Sequence, residues 1–318
     1  MKSLITGIGG MIGSHLAECL LKKGDTVLGI HYNSTINISE LPKEVALFER
    51  DVRDFDSVHE VISESVPDRI FHLAAQSLPF VSVFKPQETF DINCKGTINI
   101  FESVKLSRKN YPDYNPMIVT ACSSAEYGAS LTPENIPIRE DAQLLPLHPY
   151  GVSKVAQDLL AYQYYKSDNL NSVRARIFNT TGPRKTNDAC SDFIRQVVEI
   201  EKGLRKKLTV GNTSTKRAIT DVRDLADALE LLSVKGVPGE VYNISGDKVY
   251  LISEIIEIIR KHATSEFEIE VDNKLFRPVD EPVIFGDSNK LINLTGWKQR
   301  FSIERTIIDT LEYWRKKI

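Results

Sequence analysis

Short apolar runs alternate with amphipathic stretches through the first half of the chain. The spacing predicts strands at Ser3–Thr6, Thr26–His31, Ala46–Glu49, Arg69–Ala75, Met117–Ser123 and Ser172–Phe178. Between them it predicts helices at Gly10–Lys23, about Phe55–Ser65, Pro86–Ser107 and Pro149–Lys166. The strand segments are continuous apolar runs, as expected when both sheet faces are covered. Strands alternating with helices imply right-handed crossovers and a parallel, doubly wound sheet. Beyond Phe178 the pattern loosens into turn formers over Asn179–Ala189. Helices are expected at Phe193–Lys202, Asp221–Val234, Leu251–His262, Asp287–Leu294 and Ile303–Lys317, with a strand at Glu240–Ile244. The predicted organisation is a first domain over 1–178 to which 219–245 returns, and a smaller mixed α/β lobe from 179–218 and 246–318.

Composition narrows the class. The chain has 318 residues, enough for a large core, and a formal charge of −3, unlike a general nucleic-acid binder. No apolar run reaches the roughly 20 residues of a membrane span. The amino terminus reaches Gly7 too soon for a signal peptide, and Cys19, Cys94, Cys122 and Cys190 have no metal-ligand spacing. These features point to a cytoplasmic protein with reduced thiols, no metal and no membrane partner.

The first strand runs straight into Gly7-Ile8-Gly9-Gly10-Met11-Ile12-Gly13 and a helix. Gly7 allows the tight turn, Gly10 lets backbone approach a diphosphate, and Gly13 lets helix and strand pack closely. The first helical amides, with Met11 and Ile12, then face the anion. This turn calls for a dinucleotide. An NAD site usually carries an acid at the end of the second strand; an NADP site replaces it and adds an arginine. Here the strand ends His31-Tyr32-Asn33 and has neither. The missing acid favours NADP(H), with NAD(H) open. His31 is either a partner for a 2′-phosphate or a solvated strand-end residue.

His148-Pro149-Tyr150-Gly151-Val152-Ser153-Lys154 opens a helix that sets Tyr150 and Lys154 one turn apart. A phenol titrates near 10, and a neighbouring ammonium is expected to lower that value, so that Tyr150 exchanges a proton as hydride moves. Ser123 stands at the carboxyl end of the fifth strand, where open α/β sheets bind ligands. Its hydroxyl either contacts the reacting oxygen or belongs to a polar strand exit.

Thr6-Gly7-Ile8-Gly9-Gly10-Met11-Ile12-Gly13, Asp51-Val52-Arg53-Asp54, His72-Leu73-Ala74-Ala75, Asn93 with Gly96-Thr97, Ser123-Ser124-Ala125-Glu126-Tyr127-Gly128 and Tyr150-x-x-x-Lys154 occur in this order. Together they resemble the extended short-chain dehydrogenase/reductase family, over nearly the whole chain. The resemblance implies a Rossmann-type doubly wound parallel sheet with a smaller mixed α/β substrate lobe. It implies Ser123, Tyr150 and Lys154 as catalytic residues. Gly7, Gly10, Met11, Ile12, Gly13, His31, Asp51, Val52, Leu73, Ala74, Ala75, Tyr150 and Lys154 would line the cofactor, with Asp51 and Val52 flanking adenine.

Arg176-Ile177-Phe178-Asn179-Thr180-Thr181-Gly182-Pro183, Arg217-Ala218-Ile219-Thr220-Asp221 and Leu275-Phe276-Arg277-Pro278 are similar to the nucleotide-sugar branch. They are most similar to GDP-mannose 4,6-dehydratases and GDP-4-keto-6-deoxy-mannose reductases. That likeness implies a nucleotide-diphosphate sugar, GDP-linked, contacted by Ser124, Ala125 and Asn179, with Arg217 and Arg277 on its diphosphate.

The dehydratases keep a Thr-x-Glu step. Without a gap, Ser123 takes the place of the Thr and Ala125 that of the Glu, and alanine transfers no proton. In that register Glu126 is an ordinary loop residue; a one-residue deletion would instead put Glu126 in the acid's role. Reduction of a GDP-4-keto-6-deoxy-hexose is therefore the first expectation, a 4,6-dehydratase the second, a C4 epimerase the third and a non-enzymatic dinucleotide binder the last. Apolar residues on more than one side of Pro86–Ser107 and Pro149–Lys166, helices that related enzymes pair across a dimer, favour a homodimer.

Overall fold

The computed structural model describes residues 1–276 and 281–318; Arg277, expected on the substrate diphosphate, lies outside the described residues. The chain opens β1 (Lys2–Thr6), α1 (Met11–Lys22), β2 (Thr26–His31), β3 (Ala46–Glu49), α2 (Phe55–Ser65) and β4 (Arg69–His72). Then come α3 (Pro79–Phe84), α4 (Pro86–Phe90), α5 (Gly96–Ser107), β5 (Met117–Ser123), α6 (Pro149–Asp168) and β6 (Ser172–Ile177). The later elements are β7 (Thr180–Thr181), α7 (Ala189–Glu201), β8 (Lys207–Val210), β9 (Lys216–Ala218), β10 (Thr220–Asp221), α8 (Val222–Lys235) and β11 (Val241–Ile244). The last are β12 (Val249–Leu251), α9 (Ile252–His262), β13 (Glu268–Val271), β14 (Val283–Ile284), α10 (Asn289–Thr295) and α11 (Ile303–Lys317).

Seven strands form the central sheet, in the order β11-β6-β5-β4-β1-β2-β3, all parallel. β4 is buried along its whole length, and β1 and β5 from their second residue onward. That burial is why these segments lack alternation. One face is packed by α1 and α8 around Ile5, Leu16, Leu20, Leu225 and Leu229. The other carries α2, α5 and α6 around Leu4, Val58, Ile100, Phe101 and Tyr164. The order reverses between β1 and β4, so the carboxyl ends of these strands open a crevice where such sheets bind ligands. A separate core joins α7, α9 and α11 through Phe193, Val197, Ile255, Ile259 and Ile307.

Three details differ from the sequence reading. The fourth strand stops at His72: the Leu73 amide takes the last β1 carbonyl, that of Thr6, and the Ala74 amide turns to the Thr6 side chain, Oγ1, instead of a backbone carbonyl. The expected helix over Pro86–Ser107 contains a wide π turn at Asp91–Lys95, and such turns cluster at functional positions. The short strands β7 to β10 and β12 to β14 were not predicted, since two to four residues carry too little periodicity.

Candidate active site

The glycine turn has the shape a diphosphate needs. Gly7 sits at φ +73°, and a Cβ there would stand 2.8 Å from the Ala74 backbone. A Cβ on Gly13 would stand 2.5 Å from the Gly7 carbonyl oxygen and 2.6 Å from Ile8 Cα. Side chains at either position would close the space between β1, the β4 loop and α1. Gly10 caps α1 without a side-chain bond, so the first amides, with Met11 and Ile12, keep their donors for a ligand. The residues present therefore fit a dinucleotide diphosphate.

The rest of the expected cofactor wall borders the same strand ends. Leu73, Ala74 and Ala75 follow β4 across from Gly7. Val52 is buried against Gly96, and Asn99 Nδ2 holds its carbonyl at 2.8 Å. The Asp51 carboxylate is gripped by Arg53, which holds it below the usual carboxylate range against the opposing effect of burial. His31 Nδ1 lies 3.5 Å from the Ser34 hydroxyl, with no carboxylate on the residues that end β2.

At the end of β5, Ser123 caps a 3-10 turn over Ser124–Glu126. Its hydroxyl accepts the Ala125 amide at 3.2 Å, while Glu126 Oε1 accepts the Ser123 amide at 2.7 Å. This reciprocal box fixes the Ser123 rotamer. α6 begins against the turn, where a Cβ on Gly151 would stand 2.7 Å from the Ala125 carbonyl oxygen. His148 Nδ1 accepts the Gly151 amide, and the Ser82 hydroxyl of α3 accepts the Tyr150 amide. The π turn carries Asn93 inward, where its Nδ2 donates to Ser153 Oγ at 2.8 Å and to the Gln76 carbonyl. Tyr150 is thus held from β5, α3 and the π turn at once. Its phenol hydrogen-bonds Ser123.

Lys154 is buried, its Nζ donates to the Ala121 carbonyl at 2.8 Å, and it lies 5.8 Å from the Tyr150 ring centroid. The expected lowering of the phenol by this ammonium is corrected here. Burial pushes Tyr150 up to about 12; the Ser123 hydrogen bond pulls it down, while Glu126 and Cys122 push the same way as burial. The loss of water around the ring outweighs a cation directed at a carbonyl. Tyr150 therefore stands as a neutral phenol, a proton donor. Burial also lowers Lys154 from its ordinary value.

Glu126 is a second correction. It is wholly buried, and its Oε2 meets Arg176 Nε at 3.1 Å. Both carboxylate oxygens are engaged beneath the turn, so it is neither an ordinary loop residue nor aimed at a substrate. Ala125, half-exposed beside Ser124, offers only a methyl group.

Of the residues expected to meet the substrate, Asn179 has a buried Oδ1 with no donor among the described residues, and its carbonyl accepts the Thr220 amide. β9, which leads to Thr220, carries Arg217; this guanidinium donates to the Lys216 and Glu281 carbonyls at 2.9 Å. Asn179 and Arg217 thus come from adjoining segments of the second lobe.

Several contributors had no role in the sequence reading: Gln76, Ser82 and Asp158, and Gly151, Ser153 and Arg176, which it quoted only as parts of motifs. One signal was available. Arg174 and Arg176 fall on the same face of a central strand, and buried guanidinium groups require carboxylates nearby. Asp158, one turn beyond Lys154, is one such carboxylate, at 2.6 Å from Arg174 and 3.0 Å from Arg176.

The family model described as GDP-mannose 4,6 dehydratase matches residues 4–310. The chain is 27% identical to GDP-6-deoxy-D-mannose reductase of Pseudomonas aeruginosa, over 99% of this chain and 97% of that protein. The structure of RMD from Pseudomonas aeruginosa complexed with NADPH is similar at a TM-score of 0.85 and 26% identity, covering 100% of this chain and 99% of that one. UDP-glucose 4-epimerase of Thermus thermophilus, in complex with NAD, is similar at a TM-score of 0.89 and 27% identity, with 100% of each chain covered.

Proposed function

The chain belongs to the GDP-mannose 4,6 dehydratase family, is an NAD(P)-dependent enzyme that modifies a nucleotide sugar, and from this premise we propose that it reduces the 4-keto group of a GDP-4-keto-6-deoxy-hexose, using NADPH. Ser123, Tyr150 and Lys154 are its catalytic residues. The observation that carries the choice of reaction is the placement of Ala125 and Glu126. Removing water between C5 and C6 needs an acid or base facing the sugar beside Ser123. Ala125 has no proton to transfer, and the Glu126 carboxylate is turned under the turn onto Ser123 and Arg176. Reduction needs one proton, at the C4 oxygen.

A nicotinamide held there would supply the hydride to C4. Tyr150 gives its phenol proton to the C4 oxygen, turning the carbonyl into a hydroxyl, and Ser123 donates a hydrogen bond to the same oxygen in that step. Lys154 holds the nicotinamide ribose and offers the phenolate a nearby cation. Gly7, Gly10, Met11, Ile12 and Gly13 receive the diphosphate; Asp51 and Val52 flank adenine, and Leu73, Ala74 and Ala75 form the facing wall. The absence of a carboxylate at His31 supports NADP(H) over NAD(H). Ser124, Ala125, Asn179 and Arg217 contact the nucleotide sugar, and the orphaned Asn179 Oδ1 supports that reading, since a sugar hydroxyl would satisfy it.

Purified enzyme mixed with NADPH and a GDP-4-keto-6-deoxy-sugar is expected to lose NADPH absorbance one for one with substrate. Tyr150→Phe should slow this at least a hundredfold. A dehydratase or an epimerase returns its cofactor, so product without net NADPH loss would refute reduction. A thermal-shift series with GDP-, UDP-, dTDP- and CDP-sugars tests the base: a shift with another nucleotide and none with GDP would overturn the GDP assignment.

The active form is proposed as a cytoplasmic homodimer. Val152, Leu159 and Tyr162 on α6 and Ile98 on α5 are exposed although both helices already cover the sheet with another face. No helix among the described residues is long and apolar enough to cross a membrane. Sedimentation at monomer mass would exclude the dimer.

A further inference from the structure

Directly beneath the Ser123–Tyr150 pair lies a buried charge cluster with no part in the reaction as written. Glu126 and Asp158 are wholly buried and share Arg176, whose Nε reaches them at 3.1 Å and 3.0 Å. The Arg176 guanidinium also donates to the Tyr127 hydroxyl and the Glu140 carbonyl, each at 3.0 Å. Arg174 holds the other Asp158 oxygen at 2.6 Å. Capping Ser123 requires only an acceptor, which a neutral amide supplies. Burying a full negative charge for that purpose is costly unless the charge has work to do.

Both hydrogen-bond partners of the Glu126 carboxylate are donors: the Ser123 amide to Oε1 and the Arg176 guanidinium to Oε2. Burial and Asp158, whose oxygen lies within 4.8 Å, push the Glu126 pKa up to about 8, so the group is an ion at the alkaline pH where the phenol, itself pushed up to about 12, gives up its proton. That ion stands one turn from the end of β5, fastened to the backbone of the residue whose hydroxyl meets the phenol.

We infer that Glu126 is a positioning residue: clamped between the Ser123 amide and Arg176, its carboxylate fixes the Ser123–Tyr150 pair and sets that pair in a negative field that keeps the phenolic proton in place until it is transferred. The inference rests on the reading of Ser123 and Tyr150 as the groups that touch the sugar oxygen. The groups facing the phenol are Ser123 and Cys122 from β5, Glu126 from the 3-10 turn, Lys154 from the next turn of α6 and the His148 ring at 5.9 Å. Of these, Glu126 is the one carboxylate, and it is negative where the phenol titrates. Lys154, the nearby cation, is directed at the Ala121 carbonyl. Reduction demands a proton on Tyr150 at the moment the C4 oxygen becomes negative, so a fixed anion behind the pair favours that direction.

Glu126→Gln keeps the shape and one acceptor but removes the charge. In the full-length enzyme with NADPH and a GDP-4-keto-6-deoxy-sugar, kcat is expected to fall at least tenfold with KM within about twofold. The alkaline limb of the rate profile should move to lower pH, because Tyr150 then gives up its proton more readily. Glu126→Asp keeps the charge but shortens the reach; it should lower kcat and leave the alkaline limb where it was. A purely structural cap would move neither limb.

Tyrosine Cζ resonances of the cofactor-bound enzyme, with Tyr150→Phe identifying the signal, give a readout independent of turnover. Onset of Tyr150 ionisation should come at lower pH in Glu126→Gln. The double variant E126Q/R176M, which removes one charge of each sign and leaves Asp158 with Arg174, carries the same expectation if the single variant folds poorly. Wild-type kcat, or an unmoved alkaline limb and coincident onset in Glu126→Gln, would overturn the inference. Full turnover by Tyr150→Phe would instead overturn the assignment of Tyr150 on which it rests.

Discussion

Replacing Arg176 by methionine tests whether the cluster beneath the active site is ionised. Arg176 is 4% exposed, and methionine fills much of its volume without charge. Asp158 would keep Arg174 at 2.6 Å, so the carboxylate left without a cation is Glu126. The ligand atoms of Glu126 and Asp158 lie within 4.8 Å of one another. At an effective dielectric of about 20 their repulsion is about 3.5 kcal/mol, and breaking a buried pair by removing one partner typically costs about 3–5 kcal/mol. The expected loss is of that size, read from urea denaturation followed by the fluorescence of buried Trp297.

The loss should grow with pH. Burial and Asp158 already raise the Glu126 pKa above its ordinary value, and removing the guanidinium raises it further. A carboxyl whose pKa is higher folded than unfolded binds its proton more tightly in the fold. Its stabilising protonation is complete below the unfolded value of about 4.3 and disappears as pH rises through the folded one. Because the wild-type group gives up its proton only near pH 8, Arg176→Met should be nearer wild type at pH 7 than at pH 9. Adding Glu126→Gln should recover a large part of the loss, since no unpaired charge remains. A loss below about 1 kcal/mol, or a double variant no more stable than the single one, would show that the cluster is not the ion network described.

Gly13→Ala would drive a methyl group into the Gly7 carbonyl and Ile8 Cα, neither of which is the end of a flexible side chain. Overpacking of this kind costs about 1–3 kcal/mol, so a lower Tm and at least tenfold weaker dinucleotide binding are expected; unchanged calorimetric titration would refute the close approach. His72 is buried between the Thr6 and Thr97 hydroxyls, and burial pushes it down to about 3. The unfolded chain takes up this proton near pH 6.5 and the folded chain only near 3, so stability falls by up to about 1.4 kcal/mol per unit as pH drops through that window. His72→Gln should flatten the slope of urea midpoint against pH; parallel slopes would show that His72 is not its source.

The local pattern alone determined the strand-glycine-helix start of the chain, the parallel sheet and the one-turn spacing of Tyr150 and Lys154. Each depends on residues a few positions apart, where steric rules for φ and helical periodicity act directly. Ala125 was legible in the same way, because a methyl group has no proton wherever the chain puts it. Glu126 was not. Its neighbours in sequence describe a polar loop, and only the pairing of β5 with β6 brings Arg176 underneath it. The state of the Tyr150 phenol was equally out of reach: spacing supplies the ammonium, but the packing of α6 against β5 and the 3-10 turn sets how much water remains around the ring. Burial and through-space charge are sums over segments far apart in the chain, so tertiary structure decided them, while the backbone rules that read out from sequence decided where those segments begin.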